Sequence, residues 1–274
     1  MKPKIMMISM KSNIRIVRYI GLLLMFIFCL TAQNMMAQRG KLFNSDNQLS
    51  SNLATQVFQD SNGFIWIATR NGLNIYDGYN FMVIRKAYNN CNGLNSNYIN
   101  CITQDEKGRI VLGTNKSLLI LNGKRFCNVP MLDSRNKPIS TYVTQVSRLH
   151  NGDIAVATSG YGIMTKKIDA NACYTMKGEV ENLKYIHKIL EDKQERLWII
   201  LENGKLYRKE KNGKLVSRIM GTEQLNIQDI RQDDKGNIYL ATKNDGVYLL
   251  KAGSTAFTKI AGIGNLPIDN IYIS

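Results

Sequence analysis

A turn followed by a short apolar strand recurs five times along this chain, and this recurrence constrains the fold more than any other feature. Aligned on the turn glycine, the copies fall at Gly63, Gly108, Gly152 and Gly236, with Glu195 at this position in the fourth copy. Successive copies are 45, 44, 43 and 41 residues apart. Because a period of about 40–45 residues with short strands is typical of propeller blades, the sequence predicts an all-β fold, a β-propeller.

The repeat positions each have a physical reason. An Asp three residues before the glycine starts the turn by accepting backbone N–H groups, and the glycine supplies the positive φ of the turn. A Trp three residues after the glycine fills the wedge between adjacent blades, and a Thr six residues after it bonds the backbone of the next hairpin. The structural positions of the repeat are Asp60, Gly63, Trp66, Thr69, Asp105, Gly108, Gly152, Trp198, Asp233 and Gly236.

Each copy is predicted to form a blade of four antiparallel strands. In the first copy these are Ala54–Gln59, Phe64–Thr69, Leu73–Tyr76 and Phe81–Arg85. The blades are placed at about 49–90, 94–135, 139–178, 183–222 and 225–262, with a partial blade from 266, all within a propeller region at 38–274. The propeller is therefore incomplete, with five blades and the start of a sixth, and the chain is expected to be the leading fragment of a longer protein.

Residues 1–37 are predicted to be a targeting segment. Lys11, Arg15 and Arg18 precede the apolar stretch Tyr19–Leu30, which is followed by a polar segment with cleavage expected after Ala37 or Ala32. This order is typical of a secretory signal peptide, and twelve apolar residues are fewer than the about 20 of a membrane span. An uncleaved signal anchor is the alternative. Either way, the propeller is expected on the extracytoplasmic side.

The formal charge of the chain is +15, of which five positive charges lie in residues 1–37, so the remainder carries about +10. Such a surface could favour nucleic acid, a membrane surface or an anionic carbohydrate, or simply be rich in solvated Lys; the export signal argues against nucleic acid. The five cysteines, Cys29, Cys91, Cys101, Cys127 and Cys173, contain no CxxC spacing. A zinc site is therefore not expected, no cofactor is predicted, and disulfide pairing stays open.

The stretch LSSNLATQVFQDSNGFIWIATRNGLNIYDG, Leu49–Gly78, closely resembles the two-component regulator propeller repeat. The second copy keeps LNSNYINCITQDEKGRIVLGT and the fifth keeps IQDIRQDDKGNIYLAT. The third copy departs from the pattern by lacking the Asp and Trp, and the fourth by lacking the Gly and Thr. The resemblance covers about residues 42–274.

The resemblance implies a periplasmic sensor domain of a bacterial histidine kinase or hybrid two-component sensor, on the outer side of the inner membrane. It further implies carbohydrate sensing, with an oligosaccharide as ligand, regulation of glycan-use genes, a homodimeric full-length receptor and a membrane tether. The kinase, receiver and DNA-binding parts of such a receptor would have to lie downstream. The basic composition favours an anionic oligosaccharide as the partner, and no contact of this region with nucleic acid is expected.

Two other functions stay open. A secreted propeller enzyme, such as a lyase or glycosidase, would need acids, His or Tyr clustered at strand ends, but the acids follow the repeat turns and only two histidines exist. No nucleotide-binding loop, HExxH or GxSxG motif is present, so no catalytic residues are predicted in this chain. A propeller that acts only as a scaffold is the other alternative.

Ligand-binding residues are predicted where the copies carry polar or variable side chains. A polar column eight residues before the turn glycine is flanked by apolar positions and is expected to face the central channel, as a ligand ring or as a wet lining. Hairpin tips, exposed tyrosines and a basic run add further candidates. The column comprises Thr55, Asn100, Thr144, His187 and Gln228; the tips are Arg70, Asn115, Tyr161, Glu202 and Lys243; the sugar-stacking candidates are Tyr79, Tyr88 and Tyr161; the basic run is Lys205, Arg208, Lys209, Lys211, Lys214 and Arg218.

Overall fold

The computed structural model describes residues 42–46, 48–87 and 93–273. The chain divides into two units, Met1–Leu42 and Phe43–Ser274, and the fold below is that of the second unit. The predicted signal peptide, and with it Cys29, lies outside the described residues, as do Tyr88 and Cys91.

Five sheets follow one another along the described chain. The strands are β1 (Ala54–Gln59), β2 (Ile65–Thr69), β3 (Gly72–Tyr76), β4 (Phe81–Ile84), β5 (Ile99–Gln104), β6 (Ile110–Thr114), β7 (Leu118–Asn122), β8 (Arg125–Val129), β9 (Met131–Leu132), β10 (Pro138–Ile139), β11 (Tyr142–Arg148), β12 (Ile154–Ser159), β13 (Gly162–Lys166), β14 (Cys173–Thr175), β15 (Ile186–Glu191), β16 (Leu197–Leu201), β17 (Leu206–Lys209), β18 (Leu215–Val216), β19 (Ile227–Gln232), β20 (Ile238–Thr242), β21 (Val247–Leu250) and β22 (Thr258–Lys259). One 3₁₀ helix, Glu179–Asn182, precedes β15.

Each sheet contains an antiparallel meander of four strands, and the sheets are arranged in a ring with their first strands, β1, β5, β11, β15 and β19, innermost. This confirms the predicted all-β propeller of four-stranded blades, and the four strands predicted for the first copy agree with the structure to within one residue at each end. The third sheet has two extra strands. The hairpin β9–β10 extends its outer edge, with β9 parallel to β14. The repeat pattern does not predict these two strands.

The core consists of layers between neighbouring blades, since each sheet has apolar side chains on both faces. One layer joins the second and third blades through Val111, Leu118, Val146 and Val156, all of them buried. The first blade is the exception. Val57 is 61% exposed, whereas Val146, at the same repeat position in the third blade, is 4% exposed.

The Asp and Trp positions of the repeat are joined by a hydrogen bond. Asp60 Oδ1 accepts the backbone N–H groups of Asn62 and Phe64, as expected for a turn starter. Its Oδ2 accepts the indole Nε1–H of Trp66 at 2.8 Å, and Asp192 accepts that of Trp198 at 2.7 Å. The turn is therefore anchored to the buried ring that packs between blades.

The Thr and Gly positions of the repeat lie in the hairpin and in the turn. Thr69 Oγ1 donates to the carbonyl oxygen of Gly72 at 2.8 Å, within the hairpin that follows. Thr242 does the same to Gly246. In the fourth copy Glu195 takes the place of the turn glycine and adopts a φ of 59°, so a non-glycine residue holds the left-handed conformation there.

Candidate ligand-binding face

A β-bulge marks the polar column in every blade. The register between the first and second strands shifts across the column position, for instance between Ala54 and Gln56 in the first blade. The same shift recurs at the other four first strands. A bulged residue has no partner in the ladder, and its side chain is re-aimed. The column is polar because the bulge directs these side chains across the seam between blades.

Most side chains of the column bond the backbone of the next blade. Thr55 Oγ1 donates to the carbonyl of Ile99, Asn100 Nδ2 to that of Val143, and Thr144 Oγ1 to that of Ile186, at distances of 2.6–2.8 Å. The His187 ring nitrogen Nε2 lies 3.1 Å from the carbonyl oxygen of Gln228. Gln228 instead donates to Asn226 Oδ1 at 2.7 Å. These contacts favour the lining interpretation of the column; its role in ligand binding stays a prediction.

The central channel contains a cavity of about 840 Å³ that three members of the column line: Thr55, Asn100 and Thr144. His187 and Gln228 are not among its lining residues. Asn100 Oδ1 is buried without a hydrogen-bond partner, the one such side-chain atom in the described part of the chain. Asn100 is therefore the member of the column whose side-chain oxygen has no hydrogen-bond partner in the protein.

The residues beside the column also link the blades. Gln56 Nε2 donates to the carbonyl of Ile102, and Gln56 Oε1 accepts the N–H of the same residue, both at 3.0 Å. Gln145 repeats this pair of bonds with Ile189. In the fourth blade the position is Lys188, whose Nζ lies 2.9 Å from the buried carboxylate of Asp229 in the fifth.

Acidification from pH 7 to pH 5 is expected to destabilise the protein more than its His187→Gln variant. Burial, and then the charge of Lys188, lower the pKa of His187 below its ordinary value. Below an ordinary pKa of about 6.5 the unfolded chain therefore binds more protons than the folded one. The contribution of His187 is present above that pH and is lost as the pH falls through it. Urea midpoints at both pH values measure the difference, and equal losses in the two proteins would contradict it.

A second set of side chains lies where the first strands begin. Tyr98, Tyr142 and Tyr185 stand ten residues before the turn position in three successive blades. The rings of Tyr98 and Tyr142 have centroids 6.0 Å apart and meet edge to face. The guanidinium of Arg70 lies 5.4 Å from the Tyr98 centroid. We call Arg70 and these three tyrosines the tyrosine face.

Tyr142 and Tyr185 are neighbours across one strand. Ser159 pairs with Tyr142 on one side and forms a bridge with Tyr185 on the other, so the two backbones are about 10 Å apart at the usual strand spacing. Tyr142 is 38% exposed and Tyr185 is 60% exposed. Burial, and then the Tyr98 phenol, raise the pKa of Tyr142, so its hydroxyl stays protonated at neutral pH.

The predicted hairpin tips border this face. The backbone N–H of Arg70 donates to the carbonyl of Leu53, and that of Glu202 donates to the carbonyl of Tyr185. Asn115 bonds Tyr98 in the same way, and Lys243 bonds Asn226. The structure thus places the tips Asn115 and Glu202 directly beside Tyr98 and Tyr185, which are not among the predicted ligand-binding residues. The signal was present: three consecutive copies carry Tyr at the same position.

Other predicted candidates are distributed elsewhere. Tyr161, at its hairpin tip, is 39% exposed, and Tyr79 lies exposed in the turn between β3 and β4. The basic run is partly neutralised, because Arg208 pairs with Glu210 and stacks over Trp198, while Lys211 pairs with the side chain at position 195. Cys101, Cys127 and Cys173 form no disulfide.

Comparison with protein families identifies the repeat. The model described as "Two component regulator propeller" matches residues 48–71 and 93–116. Two segments of this chain therefore match the two-component regulator propeller repeat. Both matched segments run from the approach to the first strand, through the Asp turn, to the β2–β3 or β6–β7 hairpin. Tyr98 and Arg70 of the tyrosine face therefore lie inside regulator propeller repeats.

Solved structures of similar fold include extracellular domains of two putative hybrid two-component systems from B. thetaiotaomicron. One has a TM-score of 0.64 at 17% identity, covering 76% of this chain and 31% of its own. The other has a TM-score of 0.51 at 17% identity, covering 84% and 38%. This chain thus spans about a third of the length of these structures. A catalytically inactive variant of virginiamycin B lyase from Staphylococcus aureus, with quinupristin, also shares the fold, with a TM-score of 0.57 at 15% identity and coverage of 81% and 74%.

At these identities the likeness concerns the fold, which sensors and a lyase share. No curated protein matches the chain. Within the ranges described above, no helix has the length and hydropathy of a membrane span, and no three His, Cys, Asp or Glu side chains in those ranges converge as metal ligands.

Proposed function

We propose that this regulator propeller is the ligand-binding part of an extracytoplasmic two-component sensor, in the periplasm, and that it binds an oligosaccharide on the tyrosine face. In this proposal, kinase and regulator domains downstream convert binding into the control of glycan-use genes, and the full receptor is a membrane-tethered homodimer. The observation that carries the binding site is the row of three tyrosines in successive blades, with Arg70 over Tyr98.

Tyrosine suits this role for physical reasons. Its ring offers a large amphipathic surface at a small cost in conformational entropy, and its hydroxyl adds a polar contact. The partly exposed rings of Tyr142 and Tyr185 can contact the apolar faces of sugar rings. The exposed Arg70 guanidinium, together with the positive charge of the chain, favours an anionic sugar at this end of the row.

The lyase fold likeness favours no catalytic alternative by itself. Of the two histidines in the chain, His187 bonds a backbone carbonyl across a blade seam. The other, His150, lies in the turn after β11 and pairs with Glu191, the last residue of β15. Neither lies in the tyrosine row. We therefore infer a binding module, with the channel residues Asn100, Thr55 and Thr144 as a second place for a ligand.

The test is calorimetry with a panel of neutral and anionic oligosaccharides. Tyr185→Ala is expected to weaken binding about 10-fold, roughly 1.4 kcal/mol, because an exposed stacking surface is lost without disturbing the core. Arg70→Met should reduce the preference for anionic over neutral sugars. Tyr79→Ala, at a more exposed tyrosine outside the row, should leave the affinity unchanged.

Two outcomes would contradict this placement. If Tyr185→Ala and Tyr79→Ala bind with the affinity of the unmodified protein, the tyrosine face is not the site. If Asn100→Ala abolishes binding while Tyr185→Ala does not, the ligand lies in the channel. Absence of binding to every oligosaccharide in the panel would overturn the carbohydrate proposal itself.

A further inference from the structure

A cavity of about 210 Å³ lies between the second and third blades, at the opposite end of β6 from the hairpin tips. Three cations from the two blades line it. Lys107 and Arg109 come from the turn between β5 and β6, and Lys166 ends β13. Asn122, Asn171 and the acid Asp169 also line it, beside apolar residues such as Ile120 and Val129. The cavity therefore presents hydrogen-bond donors and positive charge.

Lys166 is a cation buried without an acid of its own. Its residue is 5% exposed, and its Nζ donates to the backbone carbonyls of Lys167 at 3.1 Å and Ile168 at 3.5 Å. No carboxylate pairs with it among the residues described. Buried charges are normally paired, because the loss of hydration is costly. Burial, and then the charge of Arg109, lower the pKa of Lys166.

Each of the other two cations pairs with a carboxylate, one of them buried and the other exposed. Arg109 Nη2 lies 2.7 Å from the buried carboxylate of Asp105, which fixes it in the turn. Lys107 Nζ lies 2.9 Å from Asp169, whose side chain is 87% exposed. The hydrogen bond and charge of Lys107, followed by the charges of Lys166 and Arg109, lower the pKa of Asp169. The rim of the cavity thus already favours a carboxylate.

We infer that this cavity is an oxyanion site, which takes the carboxylate, sulfate or phosphate group of a ligand between Lys107, Arg109 and Lys166. Asp169 acts as an internal competitor, since its exposed carboxylate pairs with Lys107 at the rim. The amide of Asn122 can donate to a further oxygen of the anion. The site is separate from the tyrosine face, and it does not depend on carbohydrate binding there.

Inorganic sulfate is the first probe. It is titrated into the 274-residue chain by calorimetry at an ionic strength held constant with sodium chloride. Lys166→Met keeps an apolar stem in the buried position and is expected to weaken sulfate binding at least 10-fold. Asp169→Asn removes the competitor and is expected to tighten binding severalfold. Lys211→Met, which removes an exposed cation of the fourth blade, is the matched control and should leave binding unchanged.

The source of the anion is distinguished by comparing sulfate with a sulfated disaccharide and its desulfated form. A sulfated sugar that binds at least 10-fold tighter than sulfate supports a glycan ligand, and equal affinities support a free anion. The inference is overturned if neither the unmodified chain nor Asp169→Asn binds any of the probes. It is also overturned if Lys166→Met and the second variant Lys107→Met, both shown to be folded by circular dichroism, bind sulfate like the unmodified chain.

Discussion

Val146→Asp is expected to lower the free energy of unfolding by more than about 4 kcal/mol, whereas Val57→Asp should change it by less than about 1 kcal/mol. The two valines hold the same position of the repeat, six residues before the turn glycine. Val146 is buried in the layer between the second and third blades, while Val57 is 61% exposed. A carboxylate in that layer would lose its hydration and gain no partner.

Urea denaturation followed by far-UV circular dichroism measures both values. Val146→Thr keeps the shape of the side chain and should cost about 1–3 kcal/mol, since it buries one hydroxyl. If Val57→Asp destabilised the protein as much as Val146→Asp, the first blade would be covered on that face in solution. Equal effects would therefore contradict the exposure of Val57 that the structure shows.

Much of the fold follows from the repeat because its signals are local. The Asp–Gly turn and the alternating apolar strand each act over a few residues, so the pattern alone predicts the strands of the first copy to within one residue at each end. The roles of Asp60 and Thr69 followed in the same way, since each accepts or donates a bond within four residues. Comparison of copies then separated these structural positions from variable ones.

What the sequence did not reveal depends on contacts between blades. The bulge at each polar position shifts the strand register, which alternation of apolar residues does not encode. The second carboxylate oxygen of Asp60 finds the Trp66 indole only once the turn has folded against the strand. The hairpin β9–β10 joins a sheet that belongs to the following copy. The sequence does not distinguish Lys166 from an exposed lysine at a strand end, and only the packing of the blades shows that it is buried.

The candidate site illustrates the same limit. The polar column attracted a ligand hypothesis because it is polar in every copy, yet four of its members direct hydrogen bonds to neighbouring backbone. Tyr98, Tyr142 and Tyr185 became a candidate site only when the ring placed them beside one another and beside Arg70. A polar residue at the same position in all copies indicated a structural role. A tyrosine at the same position in only three successive copies indicated the tyrosine face.

Asp229→Ala is expected to cost about 3–5 kcal/mol of the free energy of unfolding, the usual result of breaking a buried ion pair. Its fully buried carboxylate lies 2.9 Å from Lys188 Nζ and 3.3 Å from Arg231 Nη2. It also accepts the backbone N–H of Ile271 at 2.9 Å. Removing it leaves two cations without a carboxylate and a backbone donor without its acceptor at the seam between the fourth and fifth blades.

A double-mutant cycle with Lys188→Met isolates the pair. The loss of unfolding free energy in the double variant should be smaller than the sum of the two single losses by about 1–3 kcal/mol, because the double variant contains no Lys188 without its carboxylate. Asp234→Ala, at a fully exposed acid next to the Asp233 turn position, should change the stability by no more than about 0.5 kcal/mol. Additivity of Asp229→Ala and Lys188→Met would show that the two side chains do not interact. In that case the ion pair between the first strands of the fourth and fifth blades would not help to hold the two blades together, and the packing layer alone would do so.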